Sequence, residues 1–147
     1  MRLLLQKVSQ ACVRVDQKIV GEIDQGYLLF LGVLGGDCQE QAQQLAEKVV
    51  KLRLFPGEDG KMNDRSLLDV DGDILVVSQF TLAGKFDKGN RPDYTQAMEP
   101  QAAQDLYTYF VEQLQTQGVR HVATGVFGAY MQVSLINDGP VTLQLER

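Results

Sequence analysis

The chain has 147 residues, enough for one domain with a sizeable core and too few for two. Apolar residues at 44% and charged residues at 22% exclude a disordered or fibrous chain, and no apolar run approaches the roughly 18 residues of a membrane-spanning helix. A formal net charge of −5 argues against a protein that wraps a long stretch of nucleic acid, but not against one that grips a single RNA end. The expectation is one domain, residues 1–147, with no membrane association. The N-terminal run Leu3-Leu4-Leu5 is too short for a signal-peptide core, so the expected location is cytoplasmic.

Leu3 to Val15 is rich in aliphatic residues with partial alternation and reads as a strand. Asp16-Gln17 is a turn, and Lys18 to Ile23 the returning strand of a hairpin. Gly26 opens the continuous apolar run Tyr27 to Val33, a strand buried on both faces. From Gln39 to about Arg53, Ala42, Leu45, Ala46, Val49 and Val50 recur at helical spacing, with Asp37 as the expected N-cap. Pro56 to Gly60 forms a loop. Ser66 to Val70 and Asp73 to Ser78 flank Asp71-Gly72, the signature of a short hairpin. After a polar stretch from Gly84 to Gln96, a second helix starts near Pro100 and stops at Gly118. Its apolar stripe is Ala103, Leu106, Tyr107, Phe110, Val111 and Leu114. Val119 to Ala123, Tyr130 to Ile136 and Val141 to Leu145 are the last strands, the final two separated by a turn at Asp138-Gly139-Pro140. The fold class is α+β, a compact, mostly antiparallel, barrel-like sheet with two packed helices.

Cys12 and Cys38 match no zinc spacing and read as reduced thiols. Asp69, Asp71 and Asp73 alternate, but without the later glycine and glutamate of a calcium loop. No Gly-rich phosphate loop is present. No metal and no cofactor are expected. The single histidine, His121, follows a helix end and reads as structural or exposed rather than as a catalytic base.

Ser78-Gln79-Phe80-Thr81-Leu82 lies where a buried strand gives way to a loop. A sheet holds polar residues rigidly at such a place while the loop admits substrate. The hydroxyls of Ser78 and Thr81 could hydrogen-bond or attack, and backbone N–H groups there could hold an oxyanion. The same residues also suit an ordinary strand end. Asn137-Asp138-Gly139-Pro140 reads as a tight turn. A Gly-Pro bond takes the cis form at a cost of only about 0.5–1 kcal/mol, which would orient carbonyl oxygens as a rigid acceptor pair. Lys85, Lys88 and Arg91 concentrate positive charge in an acidic chain, beside Phe86 and Tyr94. That loop suits phosphate contact with base stacking, or a solvated loop with salt bridges.

Taken in order, these fragments resemble the D-aminoacyl-tRNA deacylase family along nearly the whole chain. The resemblance is carried by Leu4-Leu5-Gln6-Lys7-Val8, Gly60-Lys61-Met62-Asn63 and Ser78 to Leu82. It continues through Lys88-Gly89-Asn90-Arg91-Pro92, Thr124-Gly125-Val126-Phe127-Gly128-Ala129 and Asn137 to Thr142. The Ser-Gln-Phe-Thr-Leu and Asn-Asp-Gly-Pro-Val-Thr segments are the most specific. Asp64-Arg65, before Ser66, departs from the family pattern in a loop. The resemblance implies a homodimer acting on the 3′-terminal adenosine of tRNA esterified to a D-amino acid, with glycine also accepted. It implies that Ser78, Gln79, Phe80 and Thr81 line the adenosine and ester pocket, with Met131 at another lining position. It implies a cis Gly139-Pro140 bond whose carbonyls meet the substrate's amino group in the partner subunit's pocket.

The physical logic of such a site is steric. With adenosine, ester and amino group fixed, the side chain of the α-carbon has one direction left. A D side chain points outward, an L side chain points into the wall, and glycine escapes exclusion. The resemblance further implies that backbone amides near Phe80 hold the oxyanion while the ribose 2′-hydroxyl assists water. The alternatives are covalent attack by Thr81, a tRNA-end binding module without turnover, and an esterase for free D-amino-acid esters.

Overall fold

The computed structural model describes residues 1–87 and 89–147. Strand β1 (Arg2–Val15) reverses through Asp16 and Gln17, both at left-handed φ, into β2 (Lys18–Ile23). Two left-handed residues in a two-residue loop match the twist of the strands they join. β3 (Gly26–Gly32) pairs antiparallel with the first half of β1, and β2 with the second half. Helix α1 (Gln39–Lys51) leads to the short strands β4 (Arg53–Phe55) and β5 (Arg65–Ser66), which pair with each other. β6 (Asp73–Ser78) lies parallel to β3, and a 3₁₀ turn, Phe80–Ala83, follows it. Helix α2 (Pro100–Thr116), β7 (Val122–Thr124) and β8 (Gln132–Glu146) complete the chain.

The main sheet runs β2-β1-β3-β6-β7, with β8 on the other edge of β1. It is mixed, because β3, β6 and β7 are mutually parallel neighbours while β1 is antiparallel to β2, β3 and β8. β2 approaches β7 so closely that a Cβ on Gly21 would collide with the Thr124 carbonyl. The sheet is therefore nearly closed into a barrel, as the α+β reading expects, with two helices packed outside it.

β3 and β6 are buried on both faces, which explains their unbroken apolar runs. Tyr27, Leu29, Leu31, Ile74 and Val76 face the helices, while Leu28, Leu75 and Val77 fill the barrel interior with Val8 and Val13. Both helices bury the stripes their spacing predicts. In α1 these are Ala42, Leu45, Ala46, Val49 and Val50, and in α2 Ala103, Leu106, Tyr107, Phe110 and Leu114, with Val111 half-buried. Each large aliphatic side chain so buried contributes about 1.5–3 kcal/mol.

The structure departs from the sequence reading in particular places. Asp71-Gly72 does not join two paired strands. Asp71 has the left-handed φ of 49° that such a dipeptide favours, but it ends a 3₁₀ turn over Leu68–Val70. The Asp69 carboxylate stabilises that turn by accepting from the Ser66 N–H and hydroxyl, both at 2.8 Å. Asp37 is not the N-cap of α1. Cys38 is, with its N–H donating to Gln41 Oε1 at 2.7 Å. Asp37 instead accepts from Leu34 N–H and pairs with the Met1 ammonium, both at 2.6 Å. α1 ends at Lys51, and the strand expected from Val119 begins only at Val122. The last two predicted strands are one, since both halves of β8 pair with β1 and the Asp138-Gly139-Pro140 segment bulges between them. No helix of the described residues is long and apolar enough to cross a membrane.

Candidate active site

β6 delivers Ser78 to the rim of the barrel, where the Gln79 N–H donates to Leu31 O at 2.8 Å. The chain then winds into the Phe80–Ala83 turn, which lies directly on the end of β3. Gly32 makes this seat possible, because a Cβ there would stand 2.9 Å from Leu82 Cβ and 3.0 Å from Gln79 O. Arg2 closes the turn from below, donating from Nη1 to Leu82 O at 2.9 Å.

Above the turn opens a cleft of about 660 Å³. Ser78, Gln79 and Phe80 form one wall, the start of α2 a second, and Phe127 to Met131 a third. Phe80 packs edge-on against Tyr94 with ring centroids 5.0 Å apart. Tyr107 meets Phe127 at 5.8 Å and donates its hydroxyl to Val76 O at 2.8 Å. Burial pushes the Tyr107 hydroxyl well above the usual tyrosine range. It is therefore a neutral donor rather than a base. Met131 is held against Gly125, where a Cβ would come within 2.5 Å of its sulfur. Tyr130, 89% exposed, stands at the cleft mouth.

Among the described residues lining the cleft, Glu99 carries the only charge. It caps α2, accepting from Gln101 N–H at 3.1 Å and Ala102 N–H at 3.2 Å. The helix N-terminus thus already holds its own anion. Apolar walls, amide-bearing backbone and a lone carboxylate already engaged in capping α2 suit a neutral, aromatic ligand portion and electrostatic rather than acid–base chemistry.

The structure brings Ser78, Gln79, Phe80 and Met131 together at this cleft. Thr81 points elsewhere, exposed on the turn, its Oγ1 accepting from Gln79 Nε2. His121 is remote, 3.2 Å from the Asp73 carboxylate in a separate groove shared with Cys12, Arg14 and Glu22. Lys85 and Arg91 are exposed on the loop leading to Tyr94, closed by reciprocal 2.9 Å backbone bonds between Lys85 and Asp93. Lys88 lies outside the described residues. Among those described, no group of His, Cys, Asp and Glu side chains is arranged to hold a metal ion.

A family profile described as D-Tyr-tRNA(Tyr) deacylase matches residues 4–146. The chain belongs to this family. The D-aminoacyl-tRNA deacylase of Exiguobacterium sibiricum is 52% identical over 147 residues, covering 100% of both chains. That of Cellvibrio japonicus is 54% identical over 143 residues, covering 97% of each. A solved structure described as c-Myc DNA Unwinding Element Binding Protein superimposes with a TM-score of 0.95 at 39% identity, covering 100% of this chain and 99% of the other.

In this deacylase-family chain, Gly139 and Pro140 are exposed and do not line the cleft of their own subunit. Their peptide bond is cis, as the resemblance implies. Gly139 has a φ of 131°, which L side chains rarely adopt, and a Cβ there would stand 2.9 Å from Val141 Cγ2. The bulge is braced on both sides. Asn137 Oδ1 accepts from Val141 N–H and its Nδ2 donates to Thr142 Oγ1, both at 2.9 Å. Lys7, almost wholly buried, reaches Asp138 at 3.0 Å over the face of Phe55. Sequence reasoning missed Met98, Glu99, Phe127 and Tyr130 as lining residues. The aromatic and glycine alternation of Thr124 to Tyr130 was the available signal for the last two.

Proposed function

We propose that this chain hydrolyses the ester joining a D-amino acid to the 3′ end of tRNA, releasing free D-amino acid and tRNA. The observation that carries the reading is the cleft at the end of β6, built from the Ser78-Gln79-Phe80 segment and Met131 in a chain of the deacylase family. The apolar, aromatic walls suit an adenine ring. The reacting ester lies beside the Phe80 turn, whose backbone amides hold the developing oxyanion. An aminoacyl ester is already activated, and the ribose 2′-hydroxyl assists the attacking water. Support for this over covalent catalysis is that the Thr81 hydroxyl accepts a hydrogen bond from Gln79 and has no histidine beside it.

Chirality is read by Gly139 and Pro140 of a second subunit in a cytoplasmic homodimer. Among the described strands β8 pairs with β1 alone, leaving its other edge open and Ile136 half-exposed upon it. A long open edge calls for a cover. Met131 and Gly139 flank Leu135 symmetrically along the sequence. The proposed dimer has its two-fold axis near Leu135, the placement that sets Gly139 opposite the partner's Met131 and so at the partner's cleft. The wall excludes L side chains and passes D side chains, and glycine passes with them. Ser78 and Gln79 contact the adenosine, while Lys85, Lys88 and Arg91 meet the nearby phosphates. No metal or cofactor takes part.

The test is release of labelled amino acid from matched D- and L-aminoacyl-tRNA. D release with L sparing is the expected outcome, and equal rates overturn the chiral reading. A second reading, nucleic-acid binding without turnover, is favoured by the name of the 39% identical solved protein. Tight binding of uncharged tRNA or DNA with no D release would establish it instead.

A further inference from the structure

We infer that Arg2 is a positioning residue for the oxyanion-holding turn. The inference rests on the proposed role of Phe80, and it concerns what keeps that turn in place. A 3₁₀ turn as short as Phe80–Ala83 has few internal bonds. Leu82 N–H donates to Gln79 O at 3.2 Å and Gly84 N–H to Thr81 O at 3.0 Å. At its start the turn is tied to β3 through Gln79 N–H and Leu31 O. At its far end the Leu82 carbonyl is left over, and Arg2 Nη1 takes it at 2.9 Å from the neighbouring strand β1.

The guanidinium is itself held. Its Nε lies 2.9 Å from Glu146 Oε1, close enough for charge pairing but off the N–H line, so this is an ion pair without a hydrogen bond. Arg2 Cα sits on β1 between its partners Gly32 on β3 and Glu146 on β8. The side chain thus links β1 and β8 to the turn, while the backbone beneath it pairs with β3. A hydrogen bond from a charged donor is stronger than one between neutral groups, and a fork with one prong anchored loses less freedom in forming it. Phe80 is exposed; Tyr94 packs against its ring and Gln79 ties the start of the turn to β3, while Arg2 supplies a side-chain anchor at the far end. A donor that drifts by an ångström loses most of its value in the transition state while ground-state binding barely changes.

The experiment uses the full chain. Arg2→Met keeps the aliphatic stem and removes the donors, Arg2→Lys keeps one donor, and Glu146→Gln removes only the ion pair. For Arg2→Met we expect kcat on D-aminoacyl-tRNA to fall about tenfold or more with KM within about twofold, the signature of an interaction made in the transition state. Amide exchange at Leu82 and Gly84, the N–H groups bonded within the turn, should quicken by about tenfold as well. Arg2→Lys should recover kcat to within about threefold, and Glu146→Gln should stay within about twofold of wild type. A lower melting temperature with unchanged kcat and exchange overturns the assignment, as does a rise in KM alone or a Glu146→Gln effect equal to that of Arg2→Met. If Arg2→Met does not fold, Arg2→Gln decides: unchanged kcat and unchanged exchange at native melting temperature overturn the role. The exchange measurement needs no substrate, so it separates failure of this inference from failure of the deacylase reading.

Discussion

Thr81 has the right side chain for a nucleophile and the wrong surroundings. Its hydroxyl lies outside the cleft lining and accepts from Gln79. Thr81→Ala should therefore keep kcat within about threefold, whereas a substrate ending in 2′-deoxyadenosine should slow by about 100-fold despite binding, the size expected for losing general acid–base help. Steady-state rates on both substrates, with a search for a trapped acyl-enzyme, check this pair of outcomes. Tyr130 is 89% exposed at the cleft mouth, and the proposed function makes it a stacking face for the nucleotide before the terminal adenosine. Tyr130→Ala should raise KM for charged tRNA about tenfold, the lower range for one lost base stack, and leave a D-aminoacyl-adenosine minimal ester unaffected. Equal effects on both esters would remove that role. At this scale Ser78, Gln79 and Phe80 were legible as cleft-lining residues because they sit in a distinctive segment, and Met131 through the family resemblance. Glu99 and Tyr130 were not. Their importance lies in where α2 starts and where a loop crosses the rim, and local composition encodes neither.

Elements were legible wherever burial pattern alone decides them. The double-sided burial of β3 and β6 and the stripes of both helices follow directly from spacing. Partner choice did not follow. Asp71-Gly72 carries a real backbone preference, a left-handed residue, but such a preference says nothing about which strands flank it. The Ser66–Asp69 hydrogen bonds wind the preceding segment into a turn, and β6 gains more by lying parallel beside β3 in the core than by pairing with its sequence neighbour. Likewise Asp37 was drawn away from α1 by the Met1 ammonium, a long-range charge contact. Tyr107 ties α2 to β6, and Tyr107→Phe should cost about 0.5–1.5 kcal/mol in urea unfolding, the net worth of one hydrogen bond, since Val76 O still accepts from the Gly125 N–H. The loop between Lys85 and Asp93 should loosen in acid. Hydrogen bonds from Thr95 hold the Asp93 carboxyl below its ordinary range. Its contribution is present above the unfolded value and is lost as pH falls through the lowered folded one. Amide exchange at Thr95, followed as pH is lowered, reads this directly, and protection that persists in strong acid would refute it.

For the molecule as a whole, an acidic chain that grips one RNA end should bind with shallow salt dependence, about 1–3 phosphate contacts from the slope of affinity against salt. A charge on the open edge of β8, Ile136→Asp, should yield monomers by sedimentation together with loss of D-aminoacyl-tRNA turnover. Monomers with full activity would end the cross-subunit reading. Alkali should unfold the protein as well. Burial raises the Tyr27 and Tyr107 hydroxyls above the unfolded value of about 10, so the stability they hold at neutral pH fades as pH climbs past that value. The pairing of β1 with β8 reaches further. These strands meet from Arg2 against Glu146 to Arg14 against Gln132, so a segment translated early is mated along its length to one translated much later. Until β8 emerges from the ribosome and folds back, that edge of β1 has no occupant and the cleft lacks Met131. Vectorial synthesis thus passes through a half-made chain with an exposed strand edge and an unfinished cleft, a state open to aggregation until β8 docks.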